Sequence, residues 1–313
     1  MDSVTPGDIE AAAQRIAPHV RKTPLWRLSS DTLGLPGPAY EVWLKLEHLQ
    51  LSGSFKARGM FNRLLSHVLP AAGVIVASGG NAGIATAAAA RTLGVPAEVF
   101  VPTTSPQAKR DRLAALGARV HAVGSRYSEA LAACEARQAQ SGALMTHAYD
   151  QPEVVAGAGT LALEIERQAA APDLVLVSVG GGGLVGGLAA WFAGRSRVVA
   201  LEPERAPTLW RARQAGAPVE VEVGGIAADS LGAQRIGHIA WEITQQHVAQ
   251  ALLLSDDDIR AAQLALWKDF KLAVEPAAAL PLAALRSGAL IPAAGQTVCL
   301  ILCGANLDPS TLS

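Results

Sequence analysis

Four short stretches of this chain carry residues with the types and spacing to do chemistry. "LSGSFKARG", residues 51–59, sets Lys56 behind a turn and an aromatic residue, with Ala57 and Met60 continuing an apolar stripe. Helix starts disfavour cations. The amine is therefore either an ordinary surface lysine or a group held in a partly dry pocket. In the pocket, desolvation lowers its pKa and frees it to attack a carbonyl. "SVGGGGLVGG", residues 178–187, puts Gly180, Gly181, Gly182 and Gly183 between an apolar strand pattern and a helical one. Such a turn lets backbone N–H groups approach an anion while the helix dipole adds positive potential. Phosphate is the expected guest, since a tight turn alone explains one or two glycines but not four in a row. "ASGGNAG", residues 77–83, is a second small-residue loop. Its N–H groups suit a carboxylate, and Asn81 offers an amide to a ring oxygen or carboxylate; an ordinary capped helix start reads the same way. "LILCGANLD" places Cys303 at the end of a strand on the same edge. A cysteine there is commonly a small buried hydrophobe, and the Cys299/Cys303 pair lacks the partners of a metal site.

The glycine loop also matches G-x-G-x-x-G through Gly181, Gly183 and Gly186, and "RVVALE" ends in Glu202, where an acid would bind an adenosine ribose. On these residues alone a dinucleotide-binding oxidoreductase competes with an anion site of another kind.

The elements that position these loops follow a regular alternation. "GVIVASGGN" leads into "AGIATAAAARTLG", "AEVFVP" into "SPQAKRDRLAALG", and "ARVHAVG" into "SEALAACEARQAQS". "DLVLVSVGGGG" leads into a further helix, followed by "RVVALEPE" and "TVCLILCGAN". Short, continuously apolar strands between helices imply parallel sheets covered on both faces, and Gly94, Gly117 and Gly142 each close a helical run. "MTHAYDQPEVVAGAG" breaks the pattern with Pro and Gly and reads as the return between two lobes. The fold class is α/β, in two open, mostly parallel lobes: 1–45 with 151–313 as a large lobe, and 46–150 as a small one. Ligands of such sheets collect outside the carboxyl ends of the strands, where all four stretches lie.

Composition removes several classes. The 313 residues are 50% hydrophobic and 17% charged, which excludes disorder, and the net charge of −1 comes without a basic block, so neither nucleic acid nor an anionic membrane is an expected partner. Residues 174–194 are uncharged and long enough to span a bilayer, but their glycine density reads better as strand, loop and helix. The polar start "MDSVTPGDIE" is not a signal peptide, and three cysteines make no paired framework, so a reducing cytoplasm is the expected location.

Taken in order, "LSGSFKARG", "SGGNAG", "GARV", "YDQPEVVAGAGTLALEI", "SVGGGGLVGG", "LEPE", "VEPAAA" and "LCGAN" span nearly the whole chain. The set resembles the fold-type II (tryptophan-synthase-β-like) pyridoxal-phosphate enzymes, and within them the serine/threonine dehydratases. The resemblance implies that Lys56 forms the Schiff base with pyridoxal 5'-phosphate and that Phe55 lies near the cofactor. It gives the phosphate to Gly180, Gly181, Gly182, Gly183 and Leu184, and the ring hydroxyl to Asn81. The substrate carboxylate falls to Ser78, Gly79, Gly80 and Ala82 with Asn81, and the pyridine nitrogen to Cys303. The large lobe becomes the cofactor domain and the small lobe the substrate side.

The implied activity is β-elimination from L-serine or L-threonine to a 2-oxo acid and ammonia. The implied assembly is a homodimer. Glu202 and the Ala206 carbonyl occupy places that relatives use for a cation; Thr208 stands where divalent-ion relatives carry a second carboxylate, so potassium is the expected ion. A plain Glu202–arginine pair is the alternative. Nothing after "LCGANLDPSTLS" resembles a regulatory domain, which points to a short, catabolic-type enzyme. β-Replacement and racemisation remain alternatives within the family. The dinucleotide reading leaves Lys56 and the Asn81 loop without work, and a catalytically dead binding module needs no reactive amine.

Overall fold

A computed structural model describes residues 4–312. Its strands are β1 Leu25–Ser29, β2 Glu41–Lys45, β3 Val74–Ala77, β4 Ala97–Val101, β5 Arg119–Ala122, β6 Leu144–Met145, β7 Leu174–Ser178, β8 Arg197–Pro203, β9 Val248–Leu254 and β10 Thr297–Ile301. Its helices are α1 Pro6–Ile16, α2 Lys56–Leu65, α3 Asn81–Leu93, α4 Gln107–Ala115, α5 Tyr127–Ser141, α6 Pro152–Ala169, α7 Gly183–Phe192, α8 Thr208–Ala215, α9 His238–His247, α10 Asp256–Phe270 and α11 Pro276–Arg286.

Two sheets result. One runs β1-β2-β10-β7-β8-β9, parallel except for the antiparallel edge pair β1–β2; the other runs β5-β4-β3-β6 and is parallel throughout. β3, β4 and β7 are buried along their whole length, which is why they read as unbroken apolar runs rather than alternating ones. Residues 174–194 form β7, the glycine loop and α7, and no helix among the described residues is long and apolar enough to cross a membrane.

α6 departs from the sequence reading. The glycines of "VVAGAG", taken as breaks in the pattern, lie inside this 18-residue helix. A Cβ at Gly157 would lie 2.5 Å from the Arg58 carbonyl of α2, and one at Gly159 2.9 Å from the Gly187 carbonyl of α7. These glycines serve backbone-to-backbone contact, so that α2, α6 and α7 pack closer than side chains allow. Periodicity alone does not separate a packing glycine from a breaking one. The helix-closing glycines fare as expected: Gly94 and Gly142 are left-handed caps of α3 and α5, and Gly117 follows α4 with φ of 85°.

Candidate active site

The loops after β3, β6, β7 and β10 meet in one cleft between the sheets, and a circuit of contacts can be followed around it. Lys56, the first residue of α2, donates from Nζ to the Ala148 carbonyl at 2.7 Å. The next residue, Tyr149, lies against the glycine loop: a Cβ at Gly181 would stand 2.2 Å from its ring, and one at Gly183 3.0 Å from its carbonyl oxygen. A Cβ at Gly180 would meet Leu231 at 3.2 Å, and one at Gly80 would meet the Asp229 carbonyl at 3.5 Å. From Gly80 the circuit passes to Asn81, whose Nδ2 lies 3.0 Å from both Glu275 oxygens; Oε1 of Glu275 also accepts the Asn306 N–H at 2.7 Å. It closes where Ser54 bridges Gly304 and the Phe55 N–H donates to the Cys303 carbonyl at 3.0 Å. Lys56, Phe55, the Ser78–Ala82 loop, the glycine loop and Cys303 thus share one cleft. Leu184 is buried in the first turn of α7.

The cleft holds donors that the protein leaves free. Among the described residues, the N–H groups of Gly180, Gly181, Gly182 and Gly183, and those of Gly79, Gly80, Asn81 and Ala82, find no acceptor in the protein. The loop geometry at Gly182 demands glycine twice over: its φ is 91°, and a Cβ would lie 2.5 Å from that of Ala240. The hydroxyls of Ser52 and Ser54, which flank the turn before Lys56, are buried without a partner, and Ser52 has a left-handed backbone at φ 66°. Such strain in a non-glycine residue gathers at functional sites.

Burial sets the electrostatics. It lowers the Lys56 amine to about 8, against the opposing pull of Cys303 and Glu275. The Lys56 Nζ also lies 4.8 Å from the centre of the Phe55 ring. Burial pushes the Cys303 thiol up, which keeps it a neutral SH. It also pushes the Glu275 carboxyl up, opposed by hydrogen bonds from Asn81, Asn306 and Ser230.

Two sequence expectations need correction. β10 ends at Ile301, so Cys303 sits two residues past the strand, in the turn leading to Gly304. Glu202 has a different partner from the arginine considered for it. Its Oε1 accepts from the Leu209 N–H and its Oε2 from the Trp210 N–H, both at 2.7 Å, which caps the first turn of α8. Thr208 Oγ1 stands 3.0 Å from Glu202 Oε1 and 2.6 Å from the Gly180 carbonyl, tying that cap to the glycine loop. Burial pushes Glu202 up to about 7, opposed by these bonds. Ala206 lies in the same turn, its carbonyl 3.3 Å from the Thr208 N–H.

The sequence pattern that defines the family described as "Pyridoxal-phosphate dependent enzyme" matches residues 16–304. The chain belongs to that family. Among pyridoxal-phosphate enzymes it falls in the fold-type II serine/threonine dehydratase group. It is 36% identical over 314 residues to an L-threonine ammonia-lyase of Geobacter sulfurreducens, covering 97% of this chain and 76% of that one. It is also 36% identical to a phenylserine dehydratase of Ralstonia pickettii, covering 100% and 97%. The structure of maize serine racemase superposes with a TM-score of 0.91 at 28% identity, covering 99% of this chain and 96% of that one.

The cleft suits the family's cofactor on its own chemistry. Eight unpaired N–H groups in two loops suit two anionic groups, and a half-buried amine with a lowered pKa suits an aldehyde. Sequence reasoning missed Glu275, Asn306 and Tyr149. Glu275 had a signal: it is the lone acid in the apolar run "LAVEPAAALPLAAL", directly before the proline that opens α11.

Proposed function

We propose that this pyridoxal-phosphate enzyme is a dehydratase that converts L-serine, L-threonine or both to a 2-oxo acid and ammonia. Lys56 carries the reading, as a half-buried amine of lowered pKa within the same circuit of contacts as two loops of free donors. Gly180, Gly181, Gly182, Gly183 and Leu184 hold the cofactor phosphate. Asn81 meets the ring hydroxyl, Phe55 flanks the ring and Cys303 faces the ring nitrogen. Ser78, Gly79, Gly80 and Ala82, with Asn81, hold the substrate carboxylate. The bound cofactor supplies an electron sink for charge on the α-carbon. Lys56 removes the α-proton as its neutral amine, which burial makes accessible far below the ordinary lysine range. Loss of the β-hydroxyl as water, then hydrolysis, gives the products. A potassium ion at Glu202 and the Ala206 carbonyl belongs to the same proposal. Steady-state release of 2-oxo acid across serine, threonine, phenylserine and hydroxyaspartate tests it; no release from serine or threonine would overturn it.

The neutral thiol at Cys303 predicts how the reaction partitions. A carboxylate facing the ring nitrogen would favour the protonated ring and a longer-lived carbanion, whereas a thiol offers at most a weak hydrogen bond. Cys303→Ser should therefore keep most of the elimination rate, and Cys303→Asp should slow it and bring in side transamination. An Asp variant that eliminates as fast as wild type would show that Cys303 does not face the ring.

Gly79 predicts stereochemistry. Related racemases carry a serine at the corresponding place, which delivers a proton to the face opposite the lysine. Here a Cβ would lie 3.2 Å from Val101 Cγ1 and 3.7 Å from Ser105 Oγ, so the space is tight and the nearest hydroxyl belongs to Ser105. Without a placed acid/base the enzyme forgoes roughly 10²–10⁴-fold, and D-serine should form at least about 10²-fold more slowly than pyruvate from L-serine. Chiral chromatography of the products measures this. Comparable rates would mean that another residue delivers the second proton, and Ser105→Ala would be the first variant to make.

A further inference from the structure

Asn81 sits between a carboxyl whose oxygens lie against its Nδ2 and an amide that can bond in only one sense. On one side is the Glu275 carboxylate, acceptor-only when ionised, with both oxygens 3.0 Å from Asn81 Nδ2. On the other side Asn306 Nδ2 donates to Asn81 Oδ1. The Asn306 amide is itself fixed, because its Nδ2 donates to the Ser52 carbonyl at 2.9 Å and its Oδ1 accepts from Arg112 Nη2. A carbonyl oxygen can only accept and a guanidinium can only donate. Flipping Asn81 would set its oxygen against the carboxylate and its nitrogen against another nitrogen. One N–H of Asn81 is spent on Glu275, and one remains. Glu275 is buried at 3% exposure and held by the Asn306 N–H and Ser230, so it does not swing away.

We propose that Glu275 is a positioning residue that locks the Asn81 amide so that it meets the cofactor ring oxygen as a hydrogen-bond donor. This rests on the dehydratase reading and adds a spectroscopic consequence to it. A donor stabilises the anionic form of that oxygen, in which the lysine-bound cofactor absorbs in the visible. Without the donor the neutral form, absorbing in the near ultraviolet, gains.

The test uses cofactor-loaded protein and reads the ratio of the visible to the near-ultraviolet band together with the cofactor dissociation constant. Glu275→Met removes the acceptors and should lower the band ratio roughly tenfold or more, the range of a hydrogen bond to a charged group. Asn81→Ala should do the same, and the double variant should go no further than Asn81→Ala alone. Glu275→Gln keeps one acceptor oxygen and should fall between Glu275→Met and wild type. If Glu275→Met does not fold, Asn306→Ala probes the other side of the lock and should shift the ratio in the same direction. A ratio within about twofold of wild type in the folded Glu275→Met or Asn306→Ala protein overturns the proposal. So do effects of Glu275→Met and Asn81→Ala that multiply in the double variant, which would make Glu275 a structural residue acting independently. Wild-type protein that takes up no cofactor overturns the dehydratase reading, and this inference with it.

Discussion

Lys56→Ala should abolish turnover and leave the protein folded. On the proposed reading the variant loses both the amine that holds the cofactor and the base for the α-proton, so 2-oxo acid release should fall at least about 10⁴-fold. Folding should not suffer. The side chain makes one hydrogen bond, to the Ala148 carbonyl, and its burial opposes the charged form. The amine titrates at about 8 in the folded state against 10.5 when free. Between those values the unfolded chain binds more protons, so this group's contribution to stability improves as pH rises through that window and is a cost below it. At neutral pH, alanine removes the cost along with the bond, and the melting temperature of the cofactor-free variant should match or exceed that of wild type. Residual turnover within tenfold of wild type, with cofactor bound, would reassign the catalytic amine.

Arg58→Met should produce the largest loss of stability of any substitution near the site. Arg58 is two residues past Lys56 on α2 and wholly buried. Its Nε and Nη2 reach Glu47 at 2.6 and 3.0 Å, and Nη2 also reaches Glu164 at 2.9 Å. Glu164 is shared with Lys45 at 2.6 Å, and Thr23 Oγ1 donates to Glu47 at 2.7 Å. Removing the arginine strands Glu47, which is fully buried, without its cation. Breaking a buried pair in this way costs about 3–5 kcal/mol, on the order of 10 °C in melting temperature for a chain of this size. Thermal unfolding of the cofactor-free protein measures it. A drop under about 1 kcal/mol would mean that water enters and solvates Glu47, and that the cluster does not hold α2.

The places of Lys56, Asn81 and the glycine loop at helix starts were legible because each belongs to a local transition into a helix that few residues encode. Glu275, Asn306 and Tyr149 acquire their parts from contacts between residues far apart in the chain; Asn81 and Glu275 are 194 residues apart. No window of sequence holds both. The glycines of α6 misled for a related reason, since what makes them necessary lies on α2 and α7. The hydrogen bonds that Glu202 accepts from the Leu209 and Trp210 N–H groups were not legible either, because they depend on how the chain turns from the end of β8 into the helix that follows. The alternation of apolar strands and alanine-rich helices carried the two sheets, but sequence alone did not give the order of their strands.

The three-helix contact has a consequence for how such a site can change. α2 begins with the amine, α7 begins at the anion cradle, and α6 lies between them touching both through glycine backbone. The span from Lys56 to the glycine loop is therefore gauged in part by peptide groups in contact, where a larger residue at Gly157 or Gly187 has no room. The loop at 78–82 belongs to the other sheet and is not part of that stack. Substitutions in the 78–82 loop can therefore accumulate residue by residue while the spacing of α2 from α7 keeps its setting.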